Sequence, residues 1–147
     1  MDQINEAIKA TLNRRTDIDY LIVADRADVM GGKLYLMGGG FDRIQPPEFP
    51  LNLMLGIAVG VRVPYQETED PHNVRITLER ADGDQLVEIE AELQTGRPPG
   101  MRGKDLPVPM AFNVPITVSA PGDYVLTAHV DGRELRRHQI TASKRGG

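Results

Sequence analysis

The chain has 147 residues, of which 40% are hydrophobic and 26% charged, so a single globular domain is expected. Its net charge of -4 gives no overall attraction to nucleic acid or anionic lipid, and the lack of cysteine excludes disulfides, thiol nucleophiles and thiolate metal ligands. Its apolar runs are all too short to span a membrane.

A short amphipathic helix is predicted at the N-terminus, within residues 1–16. Ile4, Ile8 and Leu12 recur every four residues, and Asp2 stands where an N-cap is preferred. A helix this short is marginal alone in water. We therefore expect it to pack on the domain, to pack on another copy, or to fray.

Residues 17–143 are predicted to form one β domain, followed by a flexible tail at 144–147. From Ile18 onward the hydrophobic period is two, and turn residues recur at regular spacing. Glycine pairs and Asp-Gly pairs between alternating runs are strong hairpin signals. They predict three hairpins, which join strands 18–30 and 33–37 at Gly31-Gly32, 73–80 and 85–95 at Asp82-Gly83, and 124–130 and 133–142 at Asp131-Gly132.

The segment 51–63 is predicted to be a strand with two unlike faces. Its odd positions are all aliphatic, which indicates a core face. Its even positions include small or uncharged residues that predict close approach of another backbone, by the N-terminal helix or by a second subunit. This second face is the predicted interface, and its residues are Met54, Gly56, Ala58 and Gly60.

Apolar residues also alternate over 107–118, but three prolines interrupt the run. Pro107, Pro109 and Pro115 cannot donate a backbone hydrogen bond to a neighbouring strand. The segment is therefore predicted to lie at a sheet edge or to break into two strands. If the prolines protect one edge, another edge is left for a partner.

About seven or eight short strands with little helix predict an all-β fold, an antiparallel β-sandwich of immunoglobulin-like topology. The run Pro121-Gly122-Asp123-Tyr124 is typical of the tyrosine-bearing penultimate strand of such sandwiches.

No catalytic residue, metal site or cofactor is predicted. The three histidines are scattered, and neither serine lies in a nucleophile elbow. Gly38-Gly39-Gly40 is followed by Phe41, Asp42 and Arg43 rather than by a helix, so it predicts a bend between sheets and not a phosphate loop. The spacing of Asp25, Asp28 and Asp42 does not match that of a calcium-binding loop.

Charge is unevenly distributed along the chain. Residues 65–95 hold nine acidic and two basic side chains, a sum of -7, whereas residues 133–147 hold five basic and one acidic, a sum of +4. These segments are expected to be solvated faces, or to pair within one molecule or between two. The N-terminus lacks a basic stretch that leads into an apolar one, so a cytoplasmic location is expected.

Several short motifs together resemble an uncharacterised family of small bacterial proteins, classed as a domain of unknown function. The resemblance covers residues 18–132, and the family brings no activity, cofactor or catalytic residue. Its motifs are Gly31-Gly32-Lys33-Leu34-Tyr35-Leu36, Gly38-Gly39-Gly40-Phe41-Asp42-Arg43-Ile44, Gly96-Arg97-Pro98-Pro99-Gly100 and Pro121-Gly122-Asp123-Tyr124.

Two functions from different classes are compatible with this sequence. The first is a non-enzymatic binding or assembly module with a protein partner or self-association, without nucleic acid and without membrane. The alternative is a small polar-ligand-binding protein or weakly marked hydrolase. Its pocket would lie near the 38–43 and 96–104 loops, with Asp42, Arg43 and Arg97 as polar contacts.

Overall fold

The computed structural model describes residues 14–100 and 103–146. Over these residues the chain forms strands and one 3-10 turn, which confirms the all-β prediction. The predicted N-terminal helix falls mainly on residues 1–13, outside the described residues, and residues 14–16 are not helical. The elements are β1 Asp17–Ala24, β2 Arg26–Met30, β3 Lys33–Met37, β4 Arg43–Ile44, β5 Leu51–Val63, η1 Tyr65–Glu67, β6 His72–Arg80, β7 Gln85–Leu93, β8 Leu106–Val118, β9 Gly122–Val130 and β10 Arg133–Ala142.

The strands form two larger sheets and a separate hairpin. One sheet has the order β1-β5-β8, the other has the order β4-β10-β9-β6-β7, and β2 pairs with β3. All neighbours are antiparallel except β4 and β10, which are parallel. Both larger sheets supply one continuous apolar core, since side chains such as Ile57 of β5, Ile76 of β6 and Leu126 of β9 are fully buried in it.

All three predicted hairpin turns are confirmed. Gly31 and Gly32 have φ values of 58° and 73°, and Asp131 and Gly132 have values of 50° and 81°. Two consecutive positive φ values are what a two-residue turn needs to match the right-handed twist of the strands it joins. Side chains of β7 alternate as predicted, with Val87 buried and Glu88 and Glu90 exposed.

The prediction of one continuous strand over 18–30 is wrong. The chain bends at Asp25, whose N–H donates to the carbonyls of Met37 and Gly38 at 3.0 and 3.2 Å. After this bend β2 leaves the three-stranded sheet and pairs with β3 instead. Neither glycine nor proline marks the bend, so the turn signals of the sequence do not reveal it.

The glycine-rich segment 38–40 is the predicted bend between sheets. It leads from β3 to β4 at the edge of the five-stranded sheet. Gly38 and Gly40 have φ values of 61° and 86°, in a region that side chains disfavour. The Gly40 N–H donates to the carbonyl of Val23 at 2.8 Å, which holds the bend beside the end of β1.

Strand β8 lies at a sheet edge, as its prolines predicted, and it is unbroken over thirteen residues. Because the prolines lack an N–H and β8 pairs along its whole length with β5, their nitrogens point to the open side. Pro107, Pro109 and Pro115 are all at odd positions, whose backbone groups point to the same side. The open side therefore lacks three backbone N–H donors.

Tyr124 is the third residue of the penultimate strand, β9, near the start of the strand as the sequence predicted. The ring is 3% exposed, and its hydroxyl donates to the carbonyl of Ala120 at 2.8 Å. A buried tyrosine that bonds back to the chain a few residues upstream is the tyrosine corner of immunoglobulin-like domains.

Candidate functional site

The residues predicted to bind a polar ligand do not come together. Asp42 and Arg43 lie beside the end of β10, where the Asp42 carbonyl accepts a hydrogen bond from Thr141 N–H at 2.9 Å. Arg97 lies at the other end of the five-stranded sheet, next to the start of β6. The nine residues of β6 separate the two places by roughly 26 Å. The predicted pocket between the 38–43 and 96–104 loops is therefore not formed by these side chains.

Arg97 is engaged by its own chain. Its guanidinium carbon lies 4.4 Å from the centroid of the Tyr65 ring, and its Nε donates to Thr68 Oγ1 at 3.3 Å. Its Nη1 lies 3.6 Å from a carboxylate oxygen of Glu69. These contacts hold the loop after β7 against the turn before β6, and they account for the side chain without a ligand.

Of the four predicted interface residues, Met54 is 52% exposed, and Gly56, Ala58 and Gly60 are buried. A Cβ added at Gly56 would lie 2.9 Å from the carbonyl carbon of Arg26, and one at Gly60 would lie 2.1 Å from the Tyr20 ring. Close approach therefore occurs as expected. The approaching groups are the chain's own β2 at Gly56 and Tyr20 at Gly60, and the predicted N-terminal helix falls mainly outside the described residues.

The β2–β3 hairpin is a small second layer over the three-stranded sheet. Its backbone crosses β5 at Gly56, and its inner side chains, such as the fully buried Ala27, face that sheet. We call the outward side the hairpin surface. It consists of Arg26, Asp28, Met30, Lys33, Tyr35 and Met37, which form three cross-strand pairs.

The hairpin carries most of the exposed apolar side chains in the described part of the protein. Met37 is 70% exposed, Met30 60% and Tyr35 49%. Val29 and Leu36, on the inner side, are also more than a third exposed, and Met54 is the one other large apolar side chain so exposed among the described residues. A shallow depression of about 230 Å³ on this surface is lined by Arg26, Asp28, Tyr35, Leu36 and Met37. Contiguous exposed apolar groups of this kind mark binding surfaces in soluble proteins.

Strand β3 also has an open edge. The two-residue turn makes Met30 and Lys33 a hydrogen-bonded pair, so Tyr35 also bonds to β2 while Leu34 and Leu36 direct their N–H and C=O groups away from it. Among the described residues no other strand pairs with β3. Unpaired backbone groups in an exposed, largely apolar strand form a template for adding another strand.

On the other edge of the hairpin, a side chain of β8 pairs with the backbone of β2. Asn113 of β8 accepts a hydrogen bond from Ala27 N–H at 3.0 Å and donates one to the Ala27 carbonyl at 2.7 Å. The amide of Asn113 thus supplies, at Ala27, the two backbone partners that a neighbouring strand would provide. No sequence pattern indicates this contact, because the two residues are 86 positions apart.

His72 is a buried histidine with a hydrogen-bond partner at each ring nitrogen. It is 3% exposed, with Nδ1 2.8 Å from Asp131 Oδ2 and Nε2 2.8 Å from the carbonyl oxygen of Glu67. Burial lowers the pKa of His72, but the bonds to Asp131 and Glu67 outweigh burial and raise it above its usual value. Both ring nitrogens face acceptors, so neither is positioned to take a proton from a substrate.

The surroundings of His72 indicate a structural clamp. Asp131 Oδ1 also accepts the N–H of Asn73 at 2.8 Å, and the Thr16 hydroxyl donates to Glu67 at 3.0 Å. The cluster joins the start of β6, the turn between β9 and β10, and the chain that enters β1.

Across the described residues there is no set of three histidine or acidic side chains that could hold a metal ion, and no helix with the length and apolar character to cross a membrane.

Glu88 and Glu90 of the acidic segment face Arg75 on the neighbouring strand, with oxygens 3.1 and 3.9 Å from its Nε. In the basic segment Arg137 donates to Glu134 of its own strand at 2.7 Å. The two charged strands, β7 and β10, are separated by β6 and β9.

Comparisons with known proteins give a family but no activity. A family model described as "Family of unknown function (DUF6941)" matches residues 19–143. No curated protein matches the chain.

Three solved structures show weak structural likeness. The C-terminal domain of wzt is 12% identical, with a TM-score of 0.49 over 88% of this chain and 74% of that one. The alkylpurine DNA glycosylase AlkC of Pseudomonas fluorescens, bound to DNA with an abasic site analog, is 11% identical, with a TM-score of 0.46 over 95% of this chain and 35% of that one. An immunoglobulin-like protein of Pseudomonas aeruginosa is 14% identical, with a TM-score of 0.36 over 88% of this chain and 98% of that one. These likenesses carry no function over to this chain.

Proposed function

The chain belongs to this family of unknown function, DUF6941, and we propose that it is a non-enzymatic protein-binding module that uses the β2–β3 hairpin as its recognition element. The single observation that carries the proposal is the coincidence, in one hairpin, of exposed apolar side chains and an open strand edge. Strand addition at such an edge supplies affinity through backbone bonds and specificity through side chains.

The scaffold of this module is proposed to be an immunoglobulin-like sandwich. The core shared by the three-stranded and five-stranded sheets supports this, and so does the tyrosine corner at Tyr124. In this arrangement the hairpin lies outside the sandwich, on the outer face of the three-stranded sheet. The scaffold holds it in place at Gly56 and through Asn113.

Two further observations favour binding over catalysis. The buried His72 has an acceptor at each ring nitrogen, which suits a clamp and not a general base. Asp42, Arg43 and Arg97, the candidates for a polar pocket, lie at opposite ends of one sheet. Among the residues that the structure describes, neither a small-ligand site nor a hydrolase site has a comparable cluster to support it.

The test is site-specific photo-crosslinking in cells that express the full chain. A photoreactive residue replaces Met37 on the hairpin surface, and a matched variant replaces Met54, which is exposed on β5. We expect a discrete protein adduct from position 37, weakened by Tyr35→Asp, and none from position 54. Adducts from position 54 alone would move the binding surface to β5, and equal labelling at both positions, or none at either, would contradict the proposal.

A further inference from the structure

We infer that the partner of the hairpin is a second copy of this chain, joined by antiparallel pairing of the two β3 strands about Tyr35. This inference rests on the proposed function and adds the identity of the partner. It would produce a four-stranded sheet, β2-β3-β3-β2, across a two-fold axis. Isologous contacts of this kind are the most common basis of dimers.

The sequence of β3 is suited to pairing with itself. A two-fold antiparallel pair brings each strand against its own reverse, and Leu34-Tyr35-Leu36 reads the same in both directions. In the register centred on Tyr35, Leu34 of one copy is opposite Leu36 of the other. The backbone N–H and C=O groups of Leu34 and Leu36 are the ones that point away from β2. In this register both residues pair with the other copy, so four backbone hydrogen bonds form.

Charge also permits this register. Lys33 is the one charged residue of β3, and the pairing places it opposite Met37 of the other copy rather than opposite a second lysine. Tyr35 meets Tyr35 at a non-hydrogen-bonded position, where side chains approach most closely. The exposed apolar groups of both hairpins then form one continuous surface.

Two other edge strands carry features that oppose self-pairing. Three prolines on β8 remove donors from its open side, as described above. Strand β7 carries Glu88, Glu90 and Glu92 on one face, so two copies paired antiparallel would bring carboxylates together. Strand β3 has no proline and no row of like charges, and its sequence is self-complementary.

Cysteine crosslinking tests the register directly, because the natural chain has no cysteine. In the inferred pair the two Tyr35 Cα atoms lie about 4.5 Å apart, within disulfide range. Two Met37 residues lie four positions apart along the strand, roughly 13 Å. Under mild oxidation we expect Tyr35→Cys to form a disulfide-linked dimer at least about tenfold faster than Met37→Cys or Met30→Cys.

Sedimentation of the natural chain provides a readout that does not depend on a variant. We expect a monomer–dimer equilibrium that shifts with concentration, and an increase of about tenfold or more in the dissociation constant for Tyr35→Lys, which places two lysines on the axis. Asn52→Lys, which adds a lysine at an exposed position of β5 outside the hairpin, is the control with little change. A natural chain that stays monomeric to about 1 mM, or three cysteine variants that crosslink at equal rates, would overturn the inference.

The two proposals fail in different ways. A monomeric chain whose position 37 still crosslinks to a different protein would remove self-pairing and leave the binding function in place. A chain that neither self-associates nor labels from position 37 would remove both.

Discussion

The side-chain amide of Asn113 forms two hydrogen bonds with the backbone of Ala27, one in each direction. Asn113 is on β8 and Ala27 is on β2, so this pair of bonds fastens the hairpin to the outer face of the three-stranded sheet. The orientation of the hairpin surface depends on this connection.

Asn113→Ala is expected to destabilise the chain by about 1–3 kcal/mol, because it leaves the buried Ala27 N–H and C=O without partners. The free energy of unfolding in urea measures the change, and hydrogen exchange at the Ala27 amide should become faster. Asn52→Ala is the matched control, since Asn52 accepts only an exposed bond from Thr117. Equal effects of the two variants would show that the hairpin is not held in this way.

Gly56→Ala is expected to cost about 1–3 kcal/mol, because its new methyl group would meet backbone atoms of Arg26 and Ala27 that cannot rotate away. At Gly60 the obstacle is the ring of Tyr20. Gly60→Ala should therefore be destabilising in the natural chain and close to neutral when Tyr20→Ala is also present. Urea unfolding of the four chains gives the coupling, and additive effects would contradict contact between Tyr20 and Gly60.

Stability is expected to depend on pH through His72. Its pKa is raised on folding, so its contribution is fully present below the unfolded value of about 6.5 and is lost as pH rises through the folded value. The pKa of Asp131 is lowered, because the bonds from His72 and Asn73 outweigh the effect of burial, and its contribution is lost only at acid pH. Between about pH 6 and 8 the free energy of unfolding should therefore fall as the His72 ring loses its proton.

The matching variant is His72→Gln, which removes the titrating ring. We expect a lower free energy of unfolding at pH 6 and a smaller fall between pH 6 and 8 than in the natural chain. His138→Gln, at a histidine that bonds the Phe41 carbonyl elsewhere in the fold, serves as the control. An unchanged slope in His72→Gln would assign the pH dependence to other groups.

Tyr124→Phe is expected to cost about 0.5–1.5 kcal/mol by removing the bond from the hydroxyl to the Ala120 carbonyl. Tyr35→Phe, at an exposed ring, should have no effect on unfolding at low protein concentration. The urea midpoints of the two variants, compared with that of the natural chain, measure these effects. An unchanged midpoint in Tyr124→Phe would show that the hydroxyl bond does not contribute to stability.

Much of the strand pattern was predictable because it is encoded locally. A Gly-Gly or Asp-Gly pair specifies a turn through its own backbone preferences, and alternation assigns faces without reference to the rest of the chain. Strand β5 was predicted with its observed bounds, and the three prolines of β8 predicted an edge. Membership of a family of unknown function is confirmed over residues 19–143.

Contacts between residues far apart in the chain were not predictable in this way. Neither glycine nor proline flanks Asp25, so the departure of β2 from its sheet has no turn signal in the sequence. Gly56 and Gly60 indicated that something approaches closely, but a missing side chain does not identify its neighbour. Asp42 and Arg97 both lie in loops, and the sequence pattern does not define where loops lie in the fold. The length of β6 keeps the two residues apart. Pattern and turn chemistry act over a few residues, whereas the packing of the hairpin on the sheet depends on the whole fold.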